Sequence, residues 1–472
     1  MTKFWHPTAV TLALLAAFPL AAGAQSLDEL RKEQKALKEK VDALEKKLKE
    51  AQSKPAEGGM TPQQQQDFNR IAIKTEALED NQEAMGFRGL KISGQMDPSF
   101  IYNKAQNRAG FQFLNRVDDD GYNYDNSYFG MAMIDFQKEM EGGTKWRFTL
   151  APNRGVGAVF DGSSIVHEAS VSIPLGDLQT RLIAGQIPDW SGYEYLQPTL
   201  NKLITHNLLF DFTLPTAYTG AGMELTRGKW IVKGVLANMN ASKRSAGEKA
   251  PVVAYRVDYS RGEYQGFGFA GVHGKAANLR ADEVNVNADG APLALADGTP
   301  DYKFPFDQGK DTRVDLFEVD GYFIRGDWTI QGQLSYGQQK KAAVTPDPAP
   351  NSGELRKARW YGLSTLAAYK FTPRFEGIAR FDFINNKKNG GGLLGYGSDD
   401  RNGIGPDPAG DPEVGANRYA LALGMDYLFN LNTTFKFEYR LDRASQAVFK
   451  YVKDDSYKKT NHLLGAAMVV SF

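Results

Sequence analysis

Histidines are the first residues to consider for chemistry, and the chain has five of them, at positions 6, 167, 206, 273 and 462. No two of them stand at the spacing that metal ligands usually take. His167 and Glu168 are neighbours on a predicted strand, where successive side chains face opposite sides, so they cannot act together. No serine or aspartate stands out as the partner of a histidine in a nucleophilic site. The sequence therefore predicts no enzyme, no cofactor and no metal centre.

Charged side chains recur at every second position of several segments, a spacing that places them on one face of a β-strand. Lys145 and Arg147 alternate with aromatic residues, and Lys436, Glu438 and Arg440 do the same near the C-terminus. One face of such a strand suits lipid and the other suits water. The charged positions predicted to line a water-filled interior are Arg147, Glu168, Arg181, Glu224, Lys233, Arg256, Asp258, Arg380, Asp382, Lys436, Glu438 and Arg440.

Two kinds of connection separate these segments, and they alternate strictly along the chain. Tight turns rich in Gly, Pro, Asn and Asp recur at 141–143, 175–177, 227–229, 262–263, 326–327, 372–373 and 430–432. Longer polar stretches lie at about 103–126, 154–163, 188–216, 240–250, 276–311, 340–356, 387–415 and 453–459. A barrel that crosses the outer membrane has short turns on one side and longer loops on the other. The sequence therefore predicts an all-β, transmembrane antiparallel barrel of about 16 strands.

The third of the long stretches contains an apolar run from Asn201 to Phe212. A strand there would move every later long loop to the wrong side of the membrane, so we assign the run to the third external loop. We expect it to fold inward as a pore constriction; an additional strand and a lid over the mouth are the alternatives. Lys202, His206 and Asp211 are the residues predicted to line the constriction. Two roles are open for His206 and Asp211: they contact a passing solute, or they contribute to packing or solvation.

The composition agrees with a membrane barrel and disfavours two other classes. Of the 472 residues, 42% are hydrophobic and 24% are charged, with a formal net charge of zero. The 48 glycines, 28 phenylalanines and 21 tyrosines fit aromatic-rich strands better than an α/β enzyme. The balanced charge argues against nucleic-acid binding. Cysteine is absent, and a barrel that closes its own hydrogen-bond ladder has no need of disulfides.

The N-terminus is predicted to be a secretory signal peptide over residues 1–24. Lys3 supplies the positive charge, residues 10–20 form the apolar core, and Ala22-Gly23-Ala24 is the small-residue cleavage site. The mature chain should therefore begin at Gln25.

Residues 25–54 carry apolar side chains on a seven-residue repeat, which predicts an α-helical coiled coil. Either this helix associates into a multistranded coil, or it stays a lone solvated amphipathic helix. Residues 55–66 are a predicted linker, 67–86 a short second helix, and 87–472 the transmembrane barrel. The predicted coiled-coil seam consists of Leu27, Leu30, Leu37, Val41, Leu44 and Leu48.

The last predicted strand, Thr460 to Phe472, resembles a known signature. Leu464, Met468 and Val470 share one face with the terminal phenylalanine. This pattern is similar to the C-terminal signal that the barrel-assembly machinery reads in outer-membrane porins. The resemblance implies that Phe472 is an assembly signal.

Two families resemble the rest of the chain. A signal peptide, a coiled coil and a 16-strand barrel with an apolar third loop resemble the phosphate-selective porins of the O and P type, as do residues 182–188 and 221–225. Residues 125–131 resemble an uncharacterised proteobacterial family with a domain of unknown function. The resemblance implies a homotrimer with one pore per subunit. Phosphate-selective pores need fixed positive charge along the path, whereas the predicted interior charges here roughly cancel, so phosphate selectivity is not expected.

Acidic clusters at 118–120, 399–400 and 407–411 lie in predicted external loops. Hard cations take several oxygen ligands, so one interpretation is a calcium or magnesium bridge to lipopolysaccharide. The other interpretation is simple solvation of the loops.

These features predict an outer-membrane porin that lets small hydrophilic solutes or ions diffuse passively through a lumen narrowed by the third external loop. The alternative is a structural outer-membrane anchor whose periplasmic coiled coil spans the periplasm or contacts peptidoglycan. The expected partners are outer-membrane lipid, lipopolysaccharide and the barrel-assembly machinery.

Overall fold

A computed structural model describes residues 66–76, 89–114, 122, 129–152, 165–239, 251–277, 287, 291–298, 301, 311–343, 355–386, 407, 409–410 and 414–472. The chain divides into two units, Met1–Arg88 and Gly89–Phe472. In the first unit, residues 66–76 form helix α1, which overlaps the predicted second helix. The predicted signal peptide and the predicted coiled-coil seam lie outside the described residues. No helix among the described residues has the length and apolar character needed to cross a bilayer.

The described residues of the second unit form antiparallel strands and one short helix, α2 (Leu208–Phe212). The strands are β1 (Leu90–Met96), β2 (Ser99–Asn103), β3 (Arg108–Gln112), β4 (Ala132–Glu139), β5 (Lys145–Leu150), β6 (Val166–Leu175), β7 (Asp177–Pro188), β8 (Ala217–Arg227), β9 (Trp230–Met239), β10 (Pro251–Ser260), β11 (Gln265–Ala277), β12 (Asp311–Arg325), β13 (Trp328–Gln339), β14 (Ala358–Thr372), β15 (Phe375–Asn385), β16 (Arg418–Asn430), β17 (Thr433–Ala444), β18 (Phe449–Tyr451), β19 (Ser456–Lys458) and β20 (Thr460–Ser471).

Eighteen of these strands form one sheet, and the pairing closes it into a barrel. Strands β1 and β2 are two halves of the first barrel strand, since both pair with β20. Strands β3 and β4 form the second barrel strand in the same way, pairing with β2 and β1 respectively. Strand β20 pairs with β17 on its other side. The predicted closed antiparallel barrel of 16 strands is therefore confirmed, and β18 and β19 form a separate hairpin.

The seven tight turns predicted from the sequence connect strand pairs at one end of the barrel, the short-turn end, and longer segments connect them at the other, the long-loop end. The first long loop differs from the prediction. Residues 104–107 reverse the chain directly into β3, and the longer excursion comes later, between β3 and β4. The side chain of Asn103 accepts a hydrogen bond from the Ala105 N–H at 3.1 Å, and Asn107 adopts a φ of 49°. Asparagine favours both features of a tight turn.

The two faces of the barrel strands carry opposite chemistry, as the alternation predicted. On β17, Lys436, Glu438 and Arg440 face the interior and are buried, whereas Phe437 on the other face is about half exposed. Leu423 on neighbouring β16 is exposed in the same way. A soluble protein buries its apolar residues and exposes its charges. The inverted arrangement fits a barrel whose outer face meets lipid.

The chain ends where the barrel closes. The backbone N–H of Phe472 donates to the Gly94 oxygen at 3.0 Å, and the Gly94 N–H donates to the Phe472 oxygen at 3.2 Å. The terminal residue thus extends the pairing of β20 with β1 at the short-turn end.

Candidate functional site

The connection between β7 and β8, residues 189–216, is the third loop, and most of its side chains are buried. Helix α2 begins at the N-cap Asn207, whose side chain accepts a hydrogen bond from the Phe210 N–H at 2.8 Å. Asparagine at this position satisfies a backbone N–H that would otherwise lack an acceptor inside the helix. Helix α2 lies against β14, β15 and β16, strands that follow it by more than a hundred residues in the chain.

Two arginines of the barrel wall hold the chain just before α2. Arg380 on β15 donates to the carbonyl oxygens of Thr205 at 2.6 Å and His206 at 2.8 Å. Arg440 on β17 donates to the His206 oxygen at 2.7 Å and to the Thr205 hydroxyl at 3.0 Å. Arg380 also forms ion pairs with Glu194 of the third loop at 2.8 Å and with Asp382 at 3.1 Å. Charge-assisted bonds of this kind are about twice as strong as neutral ones.

A carboxylate and an amine on β17 continue this attachment toward the short-turn end. Glu438 accepts hydrogen bonds from the backbone N–H groups of Ile204 at 2.7 Å and Thr205 at 2.8 Å. Lys436 donates to the carbonyl oxygens of Pro198, at 2.8 Å, and Asn201. The backbone of the third loop thus finds in the barrel wall the partners that buried peptide groups require.

The first half of the third loop crosses the interior from β10 to β15. Arg256 on β10 donates to the carbonyl oxygen of Trp190 at 2.7 Å. The hydroxyl groups of Tyr193 and Ser364 on β14 lie 2.6 Å apart. Since Glu194 reaches Arg380 on β15, the contacts of the loop extend across strands that lie several positions apart around the barrel.

Apolar contacts complete the attachment at the long-loop end. Leu208, Leu209 and Phe212 pack in one cluster with inward-facing residues of β9 to β15. We call these wall residues the apolar ring: Ala237, Met239, Val252, Ala254, Val272, Ala276, Val314, Leu316, Trp360 and Ile384. The sequence reasoning missed the ring because it followed charged positions only. The available signal was that these strands are apolar on both faces near the long-loop end, for example at Val252-Val253-Ala254.

The three residues predicted to form the constriction lie in different surroundings. Lys202 forms an ion pair with Glu376 on β15 at 2.7 Å and remains partly exposed. His206 is buried and stacks on Phe210 with ring centroids 4.2 Å apart. Asp211 is buried on α2. The structure therefore brings all three onto one loop but gives only Lys202 substantial exposed surface.

His206 has a strongly altered protonation equilibrium. Burial, reinforced by the positive charges of Arg380 and Arg440, lowers the pKa of His206 from 6.5 to about 3. One ring nitrogen, Nε2, lies 2.8 Å from the carbonyl oxygen of Tyr195. An imidazole with this pKa is neutral at physiological pH, so it packs as an uncharged ring.

The predicted lining residues on the first strands form a paired cluster with accessible charge. Arg147 on β5 pairs with Asp135 at 2.9 Å and with Glu168 at 3.4 Å. Lys233 on β9 pairs with Glu224 on β8 at 3.1 Å. These residues face the interior, whereas Trp146 and Phe148 lie at the alternate positions of β5.

The remaining predicted lining residues divide into three groups. Arg181 is buried near the short-turn end, where it donates to the carbonyl oxygen of Gly143 at 2.7 Å. Arg256 pairs with Asp258 at 2.8 Å and with Asp320 at 2.6 Å. Asp382, like Arg380, Lys436, Glu438 and Arg440, is buried in contacts with the third loop or its anchors.

Two exposed apolar side chains of the third loop were missed by the sequence reasoning. Tyr195 is 51% exposed and Leu200 is 57% exposed, although both belong to a segment whose other residues are mostly buried. Nothing in the local sequence separates them from their buried neighbours, because the separation depends on which wall the loop packs against. Among the described residues, no group of three or more His, Cys, Asp or Glu side chains could hold a metal ion.

The closed barrel with an inward-facing charged wall and a long third loop defines a porin-like β-barrel. The chain belongs to the family described as "Protein of unknown function (DUF3138)", whose model matches residues 56–472. No curated protein matches the sequence.

Several solved structures share the fold. OmpTdeltaL8, a loop-deletion mutant of the outer-membrane protein OmpT of Vibrio cholerae, has a TM-score of 0.50 and 12% identity, over 81% of this chain and 99% of that one. The outer-membrane channel DcaP of Acinetobacter baumannii has a TM-score of 0.47 and 10% identity, over 81% and 97%. An anion-selective porin from Comamonas acidovorans has a TM-score of 0.47 and 9% identity, over 81% and 99%. At such identities the likeness concerns the fold alone.

Proposed function

We propose that this chain is an outer-membrane pore through which small hydrophilic solutes or ions diffuse passively, and that the third loop narrows its lumen. The observation that supports the proposal is the attachment of the loop to Arg380, Glu438 and Arg440, which are inward-facing residues of the barrel wall. A segment bound to those side chains fills part of the cross-section of the barrel, which would otherwise be open to water and solute.

The attachment also bears on the two alternatives for this segment. A further barrel strand would pair along its backbone with neighbouring strands, yet β7 pairs directly with β8. A lid over the mouth would contact residues at the long-loop end, whereas Glu376, the partner of Lys202, lies near the opposite, short-turn end of β15. The inward-folded loop is therefore the proposal that we carry forward.

We place the long loops outside the cell and the short turns, with the N-terminal helices, in the periplasm, because outer-membrane barrels have this polarity. The heptad seam over 25–54 supports a homotrimer, since an amphipathic helix needs a partner for its apolar face. Lipopolysaccharide and membrane lipid would surround the outer face, and the barrel-assembly machinery would insert the chain.

Conductance of the purified protein in planar lipid bilayers tests the pore. Discrete and reproducible current steps are the expected result. A correctly folded barrel that stays electrically silent would contradict the pore and favour the structural anchor, whose coiled coil contacts the cell wall.

The constriction has a separate test, in which Lys202→Glu is compared with the matched control Lys458→Glu. Both lysines belong to ion pairs, Lys202 with Glu376 at 2.7 Å and Lys458 with Asp454 at 2.9 Å, but Lys458 lies on the β18–β19 hairpin. In a salt gradient, Lys202→Glu should shift the reversal potential toward cation preference by more than the control does, because it reverses a charge in the narrowest region. Asp211→Lys should also change conductance. Unchanged reversal potentials in both third-loop variants would contradict the constriction.

A further inference from the structure

The third loop covers only part of the interior wall. Its hydrogen bonds reach Gln95 on β1 and the wall from β10 to β17, through Arg256, Ser364, Arg380 and Glu438. The charged side chains on β5, β8 and β9 keep accessible surface, as the 39% exposure of the Arg147 side chain illustrates. A solute inside the barrel therefore meets this uncovered wall on one side and the loop on the other.

The accessible charge on these surfaces is mainly positive, although the formal charges of the predicted lining residues roughly cancel. Arg147 is 39% exposed and its partner Glu168 only 10%. Lys202 is 29% exposed and its partner Glu376 only 10%. Lys233 and Glu224 are exposed to similar extents, 31% and 25%. Asp258 reverses the order, since it is 30% exposed beside a more buried Arg256. Arg147 and Lys202 therefore offer more accessible charge than their carboxylate partners.

Tyr195 and Leu200 give the third loop an apolar surface on the same path. They are the large exposed apolar side chains of the loop, with about half of their surface accessible. Trp190, five residues before Tyr195, accepts a hydrogen bond from Arg256 through its carbonyl oxygen at 2.7 Å, which places this part of the loop beside the wall at β10. An aromatic ring beside accessible cations suits a ligand that is apolar at one end and charged at the other.

The long-loop end of the interior continues this apolar character. The apolar ring faces inward there, and Trp190 packs against the same cluster. Among the described residues, the buried indole N–H groups of Trp190 and Trp360 have no hydrogen-bond acceptor. Since Trp360 and the apolar ring are buried against the third loop, the apolar surface that a solute meets is that of Tyr195 and Leu200.

We propose that the pore prefers small organic anions with an apolar, preferably aromatic, body. This inference rests on the proposed pore function and names its solute class. The anionic group would pass along Arg147, Lys233 and Lys202, and the apolar body would contact Tyr195 and Leu200. Neither surface would discriminate alone, since the cations accept any anion and the apolar side chains accept any ring.

Permanently charged probes test this preference, because they cannot cross the bilayer as neutral acids. The purified full-length protein is inserted into planar bilayers that separate potassium benzenesulfonate from potassium gluconate. The bi-ionic reversal potential then gives the permeability of benzenesulfonate relative to gluconate. Gluconate has a similar size but a hydrophilic body. We expect benzenesulfonate to permeate about three- to tenfold better, the range that one or two aromatic contacts supply. Benzenesulfonate should likewise exceed phenyltrimethylammonium, a cation with the same ring.

Paired variants assign the preference to the two surfaces. The double substitution Tyr195→Ser and Leu200→Ser should bring the ratio of benzenesulfonate to gluconate toward one. The matched control Leu431→Ser removes an exposed leucine at a short turn and should leave the ratio unchanged. The double substitution Arg147→Gln and Lys233→Gln should reduce the preference for anions over phenyltrimethylammonium.

The outcomes separate this inference from the proposed function. Conducting channels that pass benzenesulfonate and gluconate equally would overturn the solute class and leave the pore intact. Conducting channels that prefer phenyltrimethylammonium would overturn the anion preference. A preference for benzenesulfonate that survives the Tyr195→Ser and Leu200→Ser substitutions would overturn the assignment to the third loop. A folded protein without any conductance would overturn the pore itself.

Discussion

Arg380 and Arg440 donate to the same carbonyl oxygen, that of His206, at 2.8 and 2.7 Å. The two arginines lie at inward-facing positions of β15 and β17, on either side of Ala422 on β16. Both side chains are fully buried, so their charges must be balanced locally. Asp382 and Glu194 balance Arg380, and Asp442 balances Arg440 at 2.9 Å.

Arg380→Met should destabilise the folded barrel more than Arg440→Met. The first substitution leaves two buried carboxylates without their arginine, whereas Asp442 keeps a second arginine, Arg418, at 3.4 Å. Breaking a buried ion pair costs about 3–5 kcal/mol because the remaining charge stays buried. The free energy of unfolding in urea, measured in detergent micelles, tests the order of the two effects.

Arg443→Met is the matched control for this comparison, since Arg443 lies on β17 like Arg440 but is exposed. It should change the free energy of unfolding little. The triple variant Arg380→Met, Glu194→Gln and Asp382→Asn should recover part of the stability lost in Arg380→Met. Equal losses in Arg380→Met and Arg443→Met would contradict the anchoring role of Arg380.

Gly362→Val should displace the third loop from the wall. An added Cβ at Gly362 would meet a methyl group of Leu209 on α2 and the Phe383 carbonyl oxygen at 2.6 Å. Overpacking of this kind costs about 1–3 kcal/mol. Movement of α2 relieves the contact with Leu209, and a small shift of the strand relieves the contact with Phe383. Larger or noisier single-channel currents are the expected readout.

Gly332→Val provides the control, because the nearest atom to an added Cβ there is the Ser364 oxygen at 3.8 Å. That variant should retain the wild-type current. Identical currents in Gly362→Val and wild type, with the barrel folded, would show that α2 does not restrict the path.

The barrel could be predicted from sequence because its determinants are local and repeated. Each tight turn carries its own glycine, proline or asparagine. The side chains of each strand alternate with a period of two, so that one face of the strand is apolar and suits lipid. The strict alternation of turn lengths then fixed an even strand number. The first long loop was predicted less well, since Asn103 and Asn107 close a turn inside a stretch that is polar throughout.

The site could be predicted only in part, because it depends on pairings between distant residues. The sequence indicated that Arg380, Glu438 and Arg440 face inward, but not that the backbone of residues 204–206 meets them. The same limit applies to exposure. Lys202 and Tyr195 belong to one loop, yet which of its side chains stay accessible follows from the wall that the loop covers.

Acidification should weaken the third loop through His206. Because burial lowers its pKa from 6.5 to about 3, the unfolded chain binds a proton between these values that the folded state does not. Stability therefore falls as the pH drops through this window, by up to about 1.4 kcal/mol per pH unit. Urea unfolding at pH 7, 5.5 and 4 measures the slope.

His206→Asn removes the imidazole and should flatten that slope. Glu194 titrates in the opposite sense, since burial raises its pKa to about 7, so only the difference between wild type and His206→Asn isolates the histidine. A difference that does not change with pH would contradict the buried neutral state of His206.

Phe472 offers a way to separate barrel stability from barrel assembly. Deleting the residue removes its pair of backbone hydrogen bonds with Gly94, whereas Phe472→Ala keeps them and removes only the exposed ring. In refolding from urea into detergent, the deletion should cost about 1–3 kcal/mol and Phe472→Ala close to nothing.

In cells, both variants should lower the amount of heat-modifiable barrel in the outer membrane, because the predicted assembly signal includes the ring. Leu431→Ala, which removes an exposed apolar side chain at the same end of the barrel, should change neither measurement. Wild-type levels of assembled Phe472→Ala would contradict the assembly signal while leaving the closure by Gly94 unaffected.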